Sequence, residues 1–202
     1  PEGLTRVNIV PGLIGTILTM TMIMFTSLAM TRERERGTME NLLATPVRPL
    51  EVMVGKIVPY VVIGYVQLGV IMGAAWLLFG LPLEGSGWAL ALMIGVFILA
   101  NLAVGFTFST LARNQLQAMQ MTFFFFLPSM LLSGFMFPFQ GMPRWAQWLG
   151  EVLPLTHFLR IVRGIMLKGA GLVELLPQLW AMLAFVAVVS VLAISRYRQT
   201  LD

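Results

Sequence analysis

The sequence predicts an all-α, polytopic integral membrane protein. Three observations carry this. The chain is 58% hydrophobic and only 11% charged, where a soluble domain carries about 25% charged residues. Its mean hydropathy is +0.86. Its apolar residues fall into five runs, each near the ~20 residues needed to cross a bilayer at 1.5 Å rise.

The runs are residues 8–30, 57–80, 88–111, 119–137 and 175–195. The fourth includes the block Phe123–Phe126. With the connecting segments they form one transmembrane domain over 1–202. No internal repeat is visible. Cysteine is absent, which excludes a disulfide framework and thiolate metal sites. The net charge of +4 would suit nucleic acid, but the cations flank the apolar runs. Membrane topology accounts for them there, and no nucleic-acid partner is expected. The first residue is Pro1 and no signal-like segment precedes the first run, so further sequence is expected upstream.

Lysine and arginine set the orientation. If residues 31–56 are cytoplasmic, that side holds Arg32, Arg34, Arg36, Arg48, Lys56, Arg113, Arg196 and Arg198. The other side holds Arg6, Arg144, Arg160, Arg163 and Lys168. The bias has the sign of the positive-inside rule.

Residues 138–171 are too polar for a span and too apolar for a free loop. Pro138, Pro143 and Pro154 divide them, and Trp145 and Trp148 are interfacial anchors. The expectation is two short helices forming a re-entrant extracytoplasmic hairpin. Such a hairpin must pack on other helices or line a cavity, because backbone at membrane depth needs protein or water as partner.

Residues 31–56 carry a dense cluster of charges. Residues 31–35 extend the first span as a charged helical turn, and Gly37 ends or kinks it. Thr38 then caps a short helix over 39–44, with Glu40 in its first turn. Pro46 and Pro49 stop it, and residues 50–56 lead into the second span. An ordinary juxtamembrane loop would bind lipid headgroups through its arginines. Glu33, Glu35, Glu40 and Glu51 nearly cancel them. A mixed-charge surface with Met39, Leu42 and Leu43 as anchors fits protein recognition better.

The stretch Thr31-Arg-Glu-Arg-Glu-Arg-Gly-Thr-Met-Glu-Asn-Leu-Leu-Ala-Thr-Pro-Val resembles the segment between the second and third membrane helices of type-2 ABC transporter permeases, closest to their bacterial multidrug-export-like branch. Leu131-Leu-Ser-Gly-Phe-Met-Phe-Pro138 and Pro154-Leu-Thr-His-Phe-Leu-Arg-Ile-Val-Arg-Gly164 match the same family in the same order. The resemblance implies a permease half in the bacterial cytoplasmic membrane. It pairs with a second permease subunit and docks a nucleotide-binding ATPase subunit. ATP and magnesium belong to that partner, and no cofactor or metal to this chain. It implies that Arg32, Glu33, Glu35, Arg36, Gly37, Thr38, Met39, Glu40, Leu42 and Leu43 form the docking surface. Separately from the resemblance, Arg113 and Gln115 lie in a short polar turn that reads either as a second contact with the ATPase or as a plain polar loop. The branch also places a membrane helix and an extracytoplasmic domain ahead of Pro1, so the 202 residues alone are not expected to transport.

The remaining polar residues have plainer readings. His157, the one histidine, is read as an interfacial structural residue. Asn8, Gln67 and Asn101 are read as helix–helix hydrogen-bonding groups. Phe123–Phe126 are read as lipid-facing or packing surface, with substrate lining the other option. Two rival functions stand beside the permease. An ion-coupled transporter needs carboxylates within its spans, and the first, second, fourth and fifth runs contain none. An intramembrane protease needs a Ser–His pair such as Ser129 or Ser133 with His157, but the motifs that accompany one are missing.

Overall fold

The computed structural model describes residues 2–36, 49–80, 87–168 and 171–201. Among them are seven α-helices and no strand. They are α1 (Glu2–Glu35), α2 (Pro49–Phe79), α3 (Gly87–Leu111), α4 (Gln115–Leu132), α5 (Arg144–Val152), α6 (Pro154–Lys168) and α7 (Leu172–Leu201). A 3-10 turn, Phe139–Gly141, precedes α5.

Four helices are long and apolar enough to cross a membrane, over Ile9–Glu33, Val54–Leu78, Gly87–Leu111 and Val173–Arg196. They match the first, second, third and fifth predicted runs. The fourth differs. Helix α4 begins four residues before residue 119 and ends five before residue 137, leaving 18 residues with Gln115, Gln117 and Gln120 in the first two turns. Asn114 fixes its start. This residue is extended (φ −150°, ψ 172°), and its side chain accepts from the Gln117 amide at 2.8 Å, satisfying one of the orphan donors of the first turn. At the far end the chain leaves the helix at Ser133, and Gly134 takes φ +93°, which residues with a Cβ rarely adopt.

Helix α3 is the hub, packing most extensively on α1 and α7 and also on α2, α4 and α6. Its side chains Met93, Ile94, Phe97, Ile98, Leu102 and Phe106 are almost wholly buried. Gly105 lets α1 come close, since a Cβ there would lie 2.7 Å from Thr26 Cβ and 3.0 Å from the Ile23 carbonyl oxygen. Small residues serve this purpose between membrane helices, where van der Waals contact replaces the hydrophobic effect. Helices α2 and α7 are marginal: 11% of each spanning window is buried, against 61% for α1 and 67% for α3. They turn long apolar faces outward.

The segment after α4 forms the two expected short helices, α5 and α6. Leu155, Phe158, Leu159, Ile161, Val162 and Ile165 of α6 are at most 1% exposed. Phe158 stacks on Phe97 with centroids 4.0 Å apart and planes at 13°. Phe97 lies about 15 Å along α3 from Gly87, so α6 is wedged well inside this end of the bundle. Gly15 of α1 makes room, because a Cβ there would meet Leu155 at 2.5 Å and Phe158 at 3.1 Å.

Candidate functional site

The charged end of α1 holds most of the described residues among those expected to dock the partner. α1 runs unbroken through residues 31–35, and Arg36 closes it with an amide-to-Arg32-carbonyl bond of 3.0 Å. This is the charged extension expected from the sequence. Gly37, Thr38, Met39, Glu40, Leu42 and Leu43 lie outside the described residues, and so does the expected helix over 39–44.

The two described glutamates are tied to other helices. Glu33 pairs with Lys56 near the start of α2. Glu35 accepts from both the amide and the side chain of Gln115, at 2.9 and 2.6 Å, at the start of α4. These two Gln115 bonds hold the Glu35 carboxyl below its ordinary range, helped by the charge of Arg32 and opposed by slight desolvation. Thus Glu35 and Gln115 are brought together, and Lys56 joins the set. Arg113 is exposed, and its amide donates to Gln117 Oε1 at 2.6 Å. Its guanidinium is left on the same end of the bundle. The ends of α1, α2 and α4 are therefore joined where the chain enters and leaves residues 37–48.

A second polar cluster sits at the opposite end, around His157. The histidine is 6% exposed. Nε2 lies 2.6 Å from the Glu151 carbonyl oxygen, and Nδ1 contacts Gln178 Oε1. Arg160 clasps the Glu151 carboxylate at 2.7 and 3.1 Å and rests over the Phe139 ring at 4.7 Å. The hydrogen bond from Arg160, its charge and that of His157 outweigh burial and hold the Glu151 carboxyl below its ordinary range. The cluster joins α5, α6 and α7. His157 is thus structural, as expected. Gln178 was not singled out in the sequence, although a glutamine beside Pro177 in an apolar run was a usable signal.

Other expectations resolve one by one. Gln67 accepts from Thr21 Oγ1 at 3.0 Å, an α1–α2 hydrogen bond. Among the described residues Asn101 does not bridge helices: its amide donates to the Phe97 carbonyl of its own helix at 3.1 Å, and its buried Oδ1 has no partner among them. Asn8 lies outside the described side chains. Phe123 and Phe124 are exposed, at 41% and 79%, whereas Phe125 packs edge-on against Phe108. Ser129 and Ser133 donate to the Phe125 and Met130 carbonyls. Both ring nitrogens of His157 are engaged elsewhere, so no Ser–His dyad forms among the described residues. No group of three or more potential metal ligands occurs among them either.

A bundle of long apolar helices with polar and charged clusters at its two ends defines an integral membrane protein. The chain belongs to the ABC-2 type transporter family, whose model matches residues 2–167. It is 32% identical over 191 residues to the probable multidrug ABC transporter permease YbhR of Escherichia coli K12, covering 95% of this chain and 52% of YbhR. The probable multidrug ABC transporter permease YbhS of the same organism is 34% identical over 170 residues, 84% of this chain and 45% of YbhS. The inner membrane transport permease YhhJ, also from that organism, is 32% identical over 189 residues, 91% of this chain and 50% of YhhJ. The chain spans about half the length of these relatives.

Proposed function

We propose that this chain is the membrane-spanning portion of an ABC exporter permease, driven by a separate nucleotide-binding subunit that carries the ATP and magnesium. Membership of the ABC-2 family supports the transport class, and the names of YbhR, YbhS and YhhJ support an inner-membrane multidrug permease. The substrate is a drug-like or lipid-like amphiphile moved out of the cytoplasm. Two permease halves enclose the path at their interface.

The observation that carries the mechanism is the pair of ties Glu33–Lys56 and Glu35–Gln115. They yoke three helix ends around residues 37–48. If the partner ATPase moves that loop when it closes on ATP, α1, α2 and α4 move with it. Coupling of this kind requires different contacts in the two states of the partner. Without the ties, motion of the loop would dissipate in a flexible connection.

In this reading α4 is the fourth of five spans. At about 27 Å it nearly crosses a ~30 Å hydrocarbon core, with its glutamines at the charged interface. Helices α5 and α6 are the re-entrant hairpin. The burial of α6 against α1 and α3 supplies the protein partner that backbone at membrane depth requires. The ion-coupled alternative is disfavoured because the carboxylates in the spanning windows, Glu33 and Glu174, lie only at the edges of the first and the last, and Glu33 is paired with Lys56.

The test is Glu40→Arg in the full-length protein, with co-purification of the ATPase and ATP-dependent export as readouts. Loss of both is expected. If both survive, the docking assignment is wrong.

A further inference from the structure

At the charged end of the bundle, Phe25, Leu28 and Ala29 of α1 and Tyr60 and Ile63 of α2 line an apolar recess of about 410 Å³, with Arg32 at its mouth. Its neighbours on α1 are committed inside the protein, Glu33 to Lys56 and Glu35 to Gln115. Arg32 is different. It is exposed, and among the described residues no carboxylate lies within ion-pair distance of it. Glu35, one turn on, feels its charge but takes its hydrogen bonds from Gln115. Tyr60 also lies within electrostatic reach of Arg32.

A cation with no carboxylate partner among the described residues, above an apolar recess, is matched by an anion that carries an apolar tail. We propose that this recess is a binding site for an anionic phospholipid, with an acyl chain between α1 and α2 and its phosphate on Arg32. The inference rests on the membrane reading above and reassigns Arg32 from ATPase docking to lipid. The charges that bracket the recess, Arg32, Glu33 and Lys56, set it at a headgroup boundary. There the side-chain stem of an arginine lies along apolar surface while the guanidinium meets headgroups. The recess opens beside the yoked ends of α1 and α2, so a lipid seated there braces the two helices that flank residues 37–48.

The test uses the full-length protein in detergent, without ATPase or nucleotide. It is photolabelled with phosphatidylglycerol or phosphatidylcholine bearing a diazirine on the acyl chain, and the labelled peptides are mapped. Phosphatidylglycerol is expected to label 25–32 and 60–63 in preference to phosphatidylcholine. Arg32→Gln lowers that labelling about fivefold, equivalent to about 1 kcal/mol. Ala29→Phe fills the recess without changing charge, and it abolishes labelling there. Equal labelling by the two lipids, or labelling unchanged by Arg32→Gln, overturns the proposal. So does an absence of labelling by either lipid, which marks a recess covered by protein. Because neither ATP nor transport enters the assay, a negative result here leaves the permease reading standing. Failure of ATPase co-purification would leave the lipid site standing.

Discussion

The Glu33–Lys56 pair offers a quantitative test of the yoke. Its side chains are 21% and 31% exposed, so it falls between two regimes. Exposed pairs contribute about 0.2–1 kcal/mol, and breaking a fully buried pair costs about 3–5 kcal/mol. Lys56→Ala should therefore cost about 1–2 kcal/mol. Lys56→Glu should cost more, because two carboxylates at ~4 Å repel by up to about 4 kcal/mol at an effective dielectric of ~20. Glu33 engages a further group besides Lys56, so the decisive design is the charge swap. The variants Glu33→Lys, Lys56→Glu and the double reversal are compared by thermal unfolding in detergent and by ATPase activity of the assembled complex. At about 2–4 °C per kcal/mol for a chain of this size, Lys56→Ala lowers Tm by about 2–8 °C. The double reversal should recover much of the loss seen in either single reversal, in both stability and coupled ATPase. A double variant no better than its singles would refute the pair as a tie between α1 and α2. Recovery of stability without recovery of coupled activity would refute its role in transmission.

Three further outcomes follow from the packing and the titrating groups. Phe158→Ala removes a wholly buried ring from the Phe97 stack. At ~24 cal/mol per Å³, a cavity of about 100 Å³ adds about 2–3 kcal/mol to the lost transfer free energy, about 3–5 kcal/mol in all, and cysteine accessibility along α6 should rise; an unchanged Tm and accessibility would mean α6 is not wedged in the bundle. Gly105→Val drives a side chain into Thr26 and the Ile23 carbonyl; separation of α1 from α3 should cost about 1–3 kcal/mol, and a neutral result would contradict the close approach. Acid should weaken both polar ends: Glu35 and Glu151 have folded-state pKa values below the ordinary 4.5, so their stabilisation is complete above that value and fades as pH falls through the folded values. Glu151→Gln should flatten part of the acid limb of a Tm–pH profile, and an unaltered limb would remove Glu151 from this account.

The sequence was most legible where composition alone decides. The run 88–111 became α3, Gly87–Leu111, because an uninterrupted apolar stretch needs no tertiary information to be helical in a membrane. The charged extension to Glu35 was legible from local signals as well. The end of α4 was not. Residues 133–137 are as apolar as the helix before them, and what ends it is the bend at Gly134 and the 3-10 turn beyond. The ties were invisible for a different reason. Glu35 and Gln115 are 80 residues apart, and nothing local says that a glutamate and a glutamine will share two hydrogen bonds. Asn101 shows the opposite failure. A polar residue in a span suggests an interhelical bond, yet its amide bonds back to its own helix. The candidate docking residues Gly37, Thr38, Met39, Glu40, Leu42 and Leu43 lie outside the described residues.

The central claim is that the loop between α1 and α2 receives the motion of an ATPase. The direct measurement is site-specific photocrosslinking in the assembled full-length complex, with the photoreactive residue placed in turn at positions 33–43 and, as a control, at 144–152 on α5. Crosslinks to the ATPase confined to the first set, and changed in yield when ATP is trapped, are the predicted result. No ATPase crosslink from 33–43, or equal crosslinking from both sets, would contradict it.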